Sequence, residues 1–282
     1  MPSVLRQDFR TTIVKSGSYT RPGAAIIVGA LGNAHAHDDN SPRLQDAHGA
    51  NMVPGLAGGV GFHYRQPVGT KFMVEMAADP ISGGKVALFR PRGQGRGQAV
   101  YLPYCDNYIT SCIVPAAAQG GIDYFFTDNL SGCAVYVDQV NGTNDFILYH
   151  ANARATQAAQ GDLAATTLMD QMHAAARTDY AGWLHAMVTP RASIQKARYF
   201  GQAVTHYTQR KTGDGRTNIQ LAGEGTNVMG FRHGNSWEFW YQTWALASYD
   251  RPDNSWGKLT KGAQQAIAYG QGKILRAERF WP

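Results

Sequence analysis

The tightest constraint in this sequence is a hairpin. The run Ala134-Val135-Tyr136-Val137-Asp138 is joined through Asn141-Gly142-Thr143-Asn144 to Phe146-Ile147-Leu148-Tyr149-His150. Asn-Gly between two β-branched and aromatic runs favours a turn, because both residues accept the positive φ that matches strand twist. The two strands must then run antiparallel. Cys133 begins the first and His150 ends the second, so a separation of 17 residues becomes possible side-chain contact.

Other segments extend the sheet. A strand is expected near 24–30, on Ala24-Ala25-Ile26-Ile27-Val28, followed by a long polar loop through 33–58. Alternation at 70–77, 85–89 and 98–102, each bounded by Gly or Pro, predicts strands with one solvated face. The run Ile122-Asp123-Tyr124-Phe125-Phe126-Thr127 predicts another strand. From Asp162 to Met187 the pattern becomes helical, with Leu163, Leu168, Met172, Ala175, Ala176, Tyr180 and Leu184 as the apolar stripe. Asp162 is placed to cap this helix and Pro190 to stop it. Residues 194–208 and the aromatic stretch 237–249 continue the core, and a short helix near 260–277 closes the chain. The 32 Gly, 14 Tyr, 11 Phe and 6 Trp favour a strand-rich, turn-rich fold over a helical bundle. No repeat or linker divides the chain, so one domain over residues 1–282 is expected. Its class is α+β: an antiparallel β-sandwich or barrel-like sheet with helices packed outside.

A cysteine nucleophile needs a thiolate, a base that forms it, and donors for the oxyanion that follows attack. Gly132 lets the chain turn sharply beside Cys133 and approach a substrate closely. Ser131 and Gly132 lie in that turn, and the N–H of Cys133 or a neighbour can face the oxyanion. His150 can take the thiol proton and return it to a leaving group. The sulfur and an imidazole nitrogen of His150 are therefore expected within about 4 Å.

Leu130-Ser131-Gly132-Cys133, with Thr127 six positions before the cysteine and a histidine ending the next hairpin, resembles the glutamine deamidases of the cytotoxic necrotizing factor and Burkholderia lethal factor group. The chemotaxis receptor deamidases share the same Thr–Cys–His plan. The resemblance covers residues 127–150. It implies a hydrolase in which Cys133 attacks a glutamine side-chain amide, ammonia leaves, and water hydrolyses the thioester to glutamate. It makes His150 the base and Thr127 the residue that positions or polarises the histidine or the substrate. It further implies a toxin or secreted effector acting on a glutamine-containing protein in a target-cell cytosol. No cofactor or metal is implied. Asn152 is a candidate to orient the imidazole, Asp138 is another, and a backbone carbonyl could do the same.

Other readings stay open. A thiol protease or amidohydrolase would use the same Cys133–His150 pair, and a non-enzymatic binding module would use the aromatic stretch instead. His35-Ala36-His37-Asp38-Asp39, with His48 and His63, offers metal-ligand types, but its Gly, Asn and Pro neighbours read as a polar loop. Arg90-Pro91-Arg92-Gly93-Gln94-Gly95-Arg96-Gly97 lacks interleaved aromatics, and the net charge of +6 is modest, so nucleic acid is not expected as a partner. The loops 33–58 and 90–98 are candidate docking surfaces for a protein substrate. Three cysteines do not make a disulfide framework, and Cys105 and Cys112 are expected in the core. There is no apolar run of membrane-span or signal-peptide length.

Overall fold

The computed structural model describes residues 99–102, 105–116, 122, 124–200, 220–248 and 273–281, with the short strands 25–27, 51–52, 62–65, 74–78 and 86–91. Its architecture is α+β. The strands are β1 (Ala25–Ile27), β2 (Asn51–Met52), β3 (Phe62–Arg65), β4 (Val74–Ala78), β5 (Val86–Pro91), β6 (Ala99–Leu102), β7 (Tyr108–Val114), β8 (Tyr124–Thr127), β9 (Ala134–Val140), β10 (Phe146–Ala151), β11 (Val188–Ile194), β12 (Gln220–His233), β13 (Ser236–Ser248) and β14 (Lys273–Trp281). Helices α1 (Arg154–Gln160), α2 (Asp162–Leu184) and α3 (Lys196–Tyr199) follow the β9–β10 hairpin or lie near it.

Two mostly antiparallel sheets dominate. One has the order β11-β9-β10-β7-β3-β2 and the other β14-β13-β12-β8-β6; a three-stranded sheet, β1-β5-β4, accompanies them. The pairs β1–β5, β3–β7 and β6–β8 are parallel. The two larger sheets face one another across a common core. Val135, Val137, Phe146 and Leu148 from the first meet Leu102, Phe125, Val228, Trp237, Phe239 and Tyr241 from the second. The outer face of the first sheet is covered by α2, through Ala165, Met169, Met172, Ala176 and Tyr180 packed on Tyr136, Ile147 and Tyr149. Among the described residues this is a sandwich with a helix on one side and no closed barrel.

Double coverage explains why β9 and β10 read as almost unbroken apolar runs: each is buried on both faces. The same holds for β6, where all four residues are buried, against the expectation of one solvated face for 98–102. The hairpin connection is longer than a two-residue turn. It spans 141–145, with Gly142 at φ 95° and Asn144 at φ 60°, closed by Val140 N–H donating to the Asp145 carbonyl at 2.8 Å.

Several boundaries differ from the sequence expectation. Leu163 is exposed, so the buried stripe of α2 runs through Ala165, Met169, Met172, Ala176 and Tyr180. Gly161 holds the N-cap position, and Asp162 inside the helix accepts from Gln157 and Lys196 instead of capping. The helix ends at His185, left-handed at φ 49°, before Pro190, which lies within β11 beside a register shift. Residues 273–281 form a strand paired with β13, which overturns the end of the helix expected near 260–277; 260–272 lie outside the described residues. The aromatic stretch contributes Trp237, Phe239 and Tyr241 to the core.

Where β12 passes β13, only glycine fits at residue 230. A Cβ there would lie 2.6 Å from Phe239 Cε1 and 3.1 Å from Phe125 Cβ, both in the packed core. Gly230→Ala is expected to cost about 1–3 kcal/mol through overpacking. A urea midpoint equal to wild type would show that the two sheets are less tightly apposed than this.

Candidate active site

Thr127 ends β8 in one sheet, and His150 lies near the end of β10 in the other. Their side chains meet across the sandwich, with Thr127 Oγ1 2.5 Å from His150 Nδ1. Both residues are fully buried. The threonine hydroxyl has one proton, and it goes to the Leu102 carbonyl at 2.8 Å. Oγ1 must therefore accept from Nδ1–H, which leaves Nε2 as the basic nitrogen of a neutral imidazole. Burial pushes the His150 pKa down from its ordinary 6.5 to about 3, so the ring is uncharged at neutral pH.

Cys133 sits just before β9. The register pairs Ala134 with Ala151 and Val135 with His150. One step further, Cys133 comes opposite Asn152. His150 is thus the diagonal neighbour of Cys133 on the core-facing side of the sheet, a backbone spacing on the order of 7 Å in antiparallel pairs. Accordingly the thiol takes its side-chain hydrogen bond from Asn152 Nδ2, at 3.1 Å, and not from the imidazole. The hairpin carries the two residues to one face but sets them two positions out of step.

Asn152 does not orient His150 either. Its Oδ1 accepts from the backbone N–H groups of Asn107 and Arg154, both at 3.0 Å, which fixes the amide with its NH₂ toward the sulfur. Asp138 also leaves the site. It lies on the opposite face of β9 and accepts from His173 Nε2 at 3.0 Å. The group on His150 Nδ1 is Thr127.

Burial raises the Cys133 thiol to about 11, opposed by the Asn152 hydrogen bond and reinforced by the nearby Asp128 carboxylate. The resting pair is a neutral thiol and a neutral imidazole. Asn152→Ala removes the principal donor to the sulfur. Alkylation of Cys133 by iodoacetamide at pH 8 is expected to slow several-fold, on the order of one pKa unit. An unchanged or faster rate, read by peptide mass, would mean that the amide does not stabilise the thiolate.

The turn itself is held from several sides. Leu130 and Thr226 exchange two backbone hydrogen bonds, of 2.7 and 2.9 Å. Tyr199 OH donates to the Cys133 carbonyl at 3.0 Å. A Cβ on Gly132 would lie 2.6 Å from Gln157 Oε1, so the absence of a side chain makes room for that carboxamide. Ser131 is exposed at the tip. Tyr101 OH donates to Asp128, beside Thr127. Tyr101, Tyr199 and Gln157 carried no sequence signal, since each reaches the turn through packing of distant segments. Asp128 could have been found by its adjacency to Thr127.

The other candidates separate cleanly. Cys112 is buried, and its thiol is pushed upward by desolvation, whereas Cys105 is only partly buried and not a core residue. His63 is a buried strand residue bonded to Asp179 at 3.0 Å and Ser111 at 2.8 Å. Among the described residues no group of three or more His, Cys, Asp or Glu could hold a metal ion. His35, His37, Asp38, Asp39 and His48 lie outside the described residues, as do most of the loops 33–58 and 90–98. No protein-family model matches this chain, and no curated protein is significantly similar to it.

Proposed function

We propose that this protein is a cysteine-dependent glutamine deamidase acting on a protein substrate. The observation that carries the proposal is the Thr127–His150 hydrogen bond, which pins the imidazole with Nε2 as its base on the same sheet face as Cys133. The three residues are those that the deamidase resemblance singles out. In the reaction, His150 Nε2 takes the Cys133 proton and the sulfur attacks the carboxamide carbon. The imidazolium returns the proton as ammonia departs, and water attacks the thioester, giving glutamate and free thiol. The sulfur and the imidazole, diagonal neighbours in the register, come within hydrogen-bond reach in the substrate complex, where catalytic hydrogen bonds often tighten. Asn152 Nδ2, which already donates to the sulfur, and the backbone N–H groups of the Ser131-Gly132-Cys133 turn serve as oxyanion donors in this mechanism.

The resting pair is neutral, so thiolate formation in this mechanism waits for a bound carboxamide and the Asn152 donor to offset the burial that opposes it. No described helix is long and apolar enough to cross a membrane. Action as a toxin or secreted effector in a target-cell cytosol follows from the resemblance and belongs to the same proposal.

The test compares wild type with Cys133→Ala in cell lysate, by peptide mass spectrometry. Wild type should produce Gln-to-Glu conversions, each a gain of about one dalton, and the variant should produce none. Conversion by both proteins would refute the cysteine mechanism, and new peptide termini in place of mass gains would make the enzyme a protease.

A further inference from the structure

On the face of β9 opposite the candidate active site lies a second feature, a cleft of about 500 Å³ between α2, β11 and α3. Its volume falls in the range of small-molecule sites. The floor is a rigid polar stack. Tyr136 lies parallel to the His173 ring, with centroids 4.2 Å apart. Tyr136 OH donates to Asp170 at 2.8 Å, Gln195 donates to the same oxygen at 2.7 Å, and His173 Nε2 donates to the wholly buried Asp138. The carboxylates of the cleft are thus engaged by floor groups.

Three arginines line it, each from a different element: Arg177 on α2, Arg191 on β11 and Arg198 on α3. None forms an ion pair among the described residues. Arg191 Nε donates to the neutral Gln139 amide at 2.9 Å, and Arg198 Nη1 to the Ser193 carbonyl at 3.4 Å. Three guanidinium groups against one lining carboxylate, Asp170, leave the cleft with an excess of positive charge that an anion would offset. Guanidinium forks match oxyanions in bidentate geometry, and a flat aromatic floor suits the body of a ligand.

We propose that this cleft binds a small phosphate-bearing molecule, with Arg177, Arg191 and Arg198 on the phosphate and the Tyr136–His173 stack beneath it. The site is separate from the deamidase reading, because Tyr136 and Cys133 face opposite sides of the sheet.

Inorganic pyrophosphate is the probe, titrated calorimetrically into the full chain at about 0.15 M salt, where diffuse surface attraction is screened. Saturable binding with Kd below about 1 mM is expected. It should weaken about tenfold or more in Arg177→Gln and in Arg191→Gln, and stay unchanged in Arg279→Gln, a half-exposed control that pairs with Glu238 and is not part of the lining. Arg177 is partly buried and Arg191 exposed, so both variants should keep the wild-type circular dichroism spectrum. No saturation by wild type at 10 mM, on the order of ten times the expected Kd, would overturn the proposal. Equal weakening by Arg279→Gln would overturn it too, since that outcome means diffuse charge and not a site.

Discussion

With His150 replaced by glutamine, glutamine deamidation is expected to fall by about 10³-fold, within the range of a general base. Glutamine keeps much of the volume, so the cavity left in the core is small. Without an imidazole, nothing at this position can accept the thiol proton. Thr127→Val should be milder, about 10- to 100-fold. Valine keeps the shape of threonine but removes the acceptor for Nδ1–H, so the ring loses its fixed tautomer and orientation while the base survives. The order matters as much as the sizes. A Thr127→Val loss equal to that of His150→Gln would mean that the hydroxyl acts on substrate directly. No loss in either variant, with native circular dichroism, would remove His150 from the mechanism.

Acidification is the second large effect. Burial lowers the pKa of His150 to about 3 and that of His63 to about 4, the latter partly offset by Asp179, against an ordinary 6.5 for both. Above about pH 6.5 both rings are neutral in folded and unfolded chains alike, and neither affects stability. Below it the unfolded chain takes up protons that the folded core refuses, so stability falls as pH drops from about 6.5 to 4. At about 1.4 kcal/mol per unit, the two together amount to a loss on the order of 5 kcal/mol by pH 4. That is comparable with the whole stability of many domains. Urea midpoints between pH 7.5 and 4 should therefore drop steeply, and His63→Gln should flatten part of the slope. A midpoint independent of pH over this window would show that the rings are charged or hydrated in the fold.

The network around His63 shows what such a ring does structurally. Its two nitrogens tie β3 to Asp179 on α2 and to Ser111 on β7, and Ser111 contacts Tyr180 OH at 2.8 Å. Sequence offered His63 as a possible metal ligand, because residue type says nothing about which nitrogen is already engaged. Its partners lie 48 and 116 positions away, beyond the reach of any local pattern.

Local patterns otherwise served well where one element decides the outcome. The hairpin, the long helix and seven of the fourteen described strands, β1, β4, β5, β6, β8, β9 and β10, were legible from periodicity and turn residues, because alternation and the 3.6-residue repeat follow from backbone geometry alone. The end of the closing helix, 273–277, was misread because residues 273–281 are held as a strand by pairing with β13, a contact made in space. One-step register was also beyond reach. Nothing in the residues around Asn141-Gly142 fixes a connection of five residues over one of three, yet that two-residue difference puts Asn152 and not His150 opposite Cys133.

By itself, then, the sequence determined that Cys133 and His150 share one hairpin and one sheet face, and that Thr127 stands at a fixed distance along the chain. Tertiary structure decided the rest. It brought Thr127 across the sandwich onto Nδ1, gave the thiol to Asn152, and turned Asp138 away to His173. The physical reason is that strand periodicity sets which face a side chain occupies, whereas its hydrogen-bond partner depends on register and on what the opposite layer presents there.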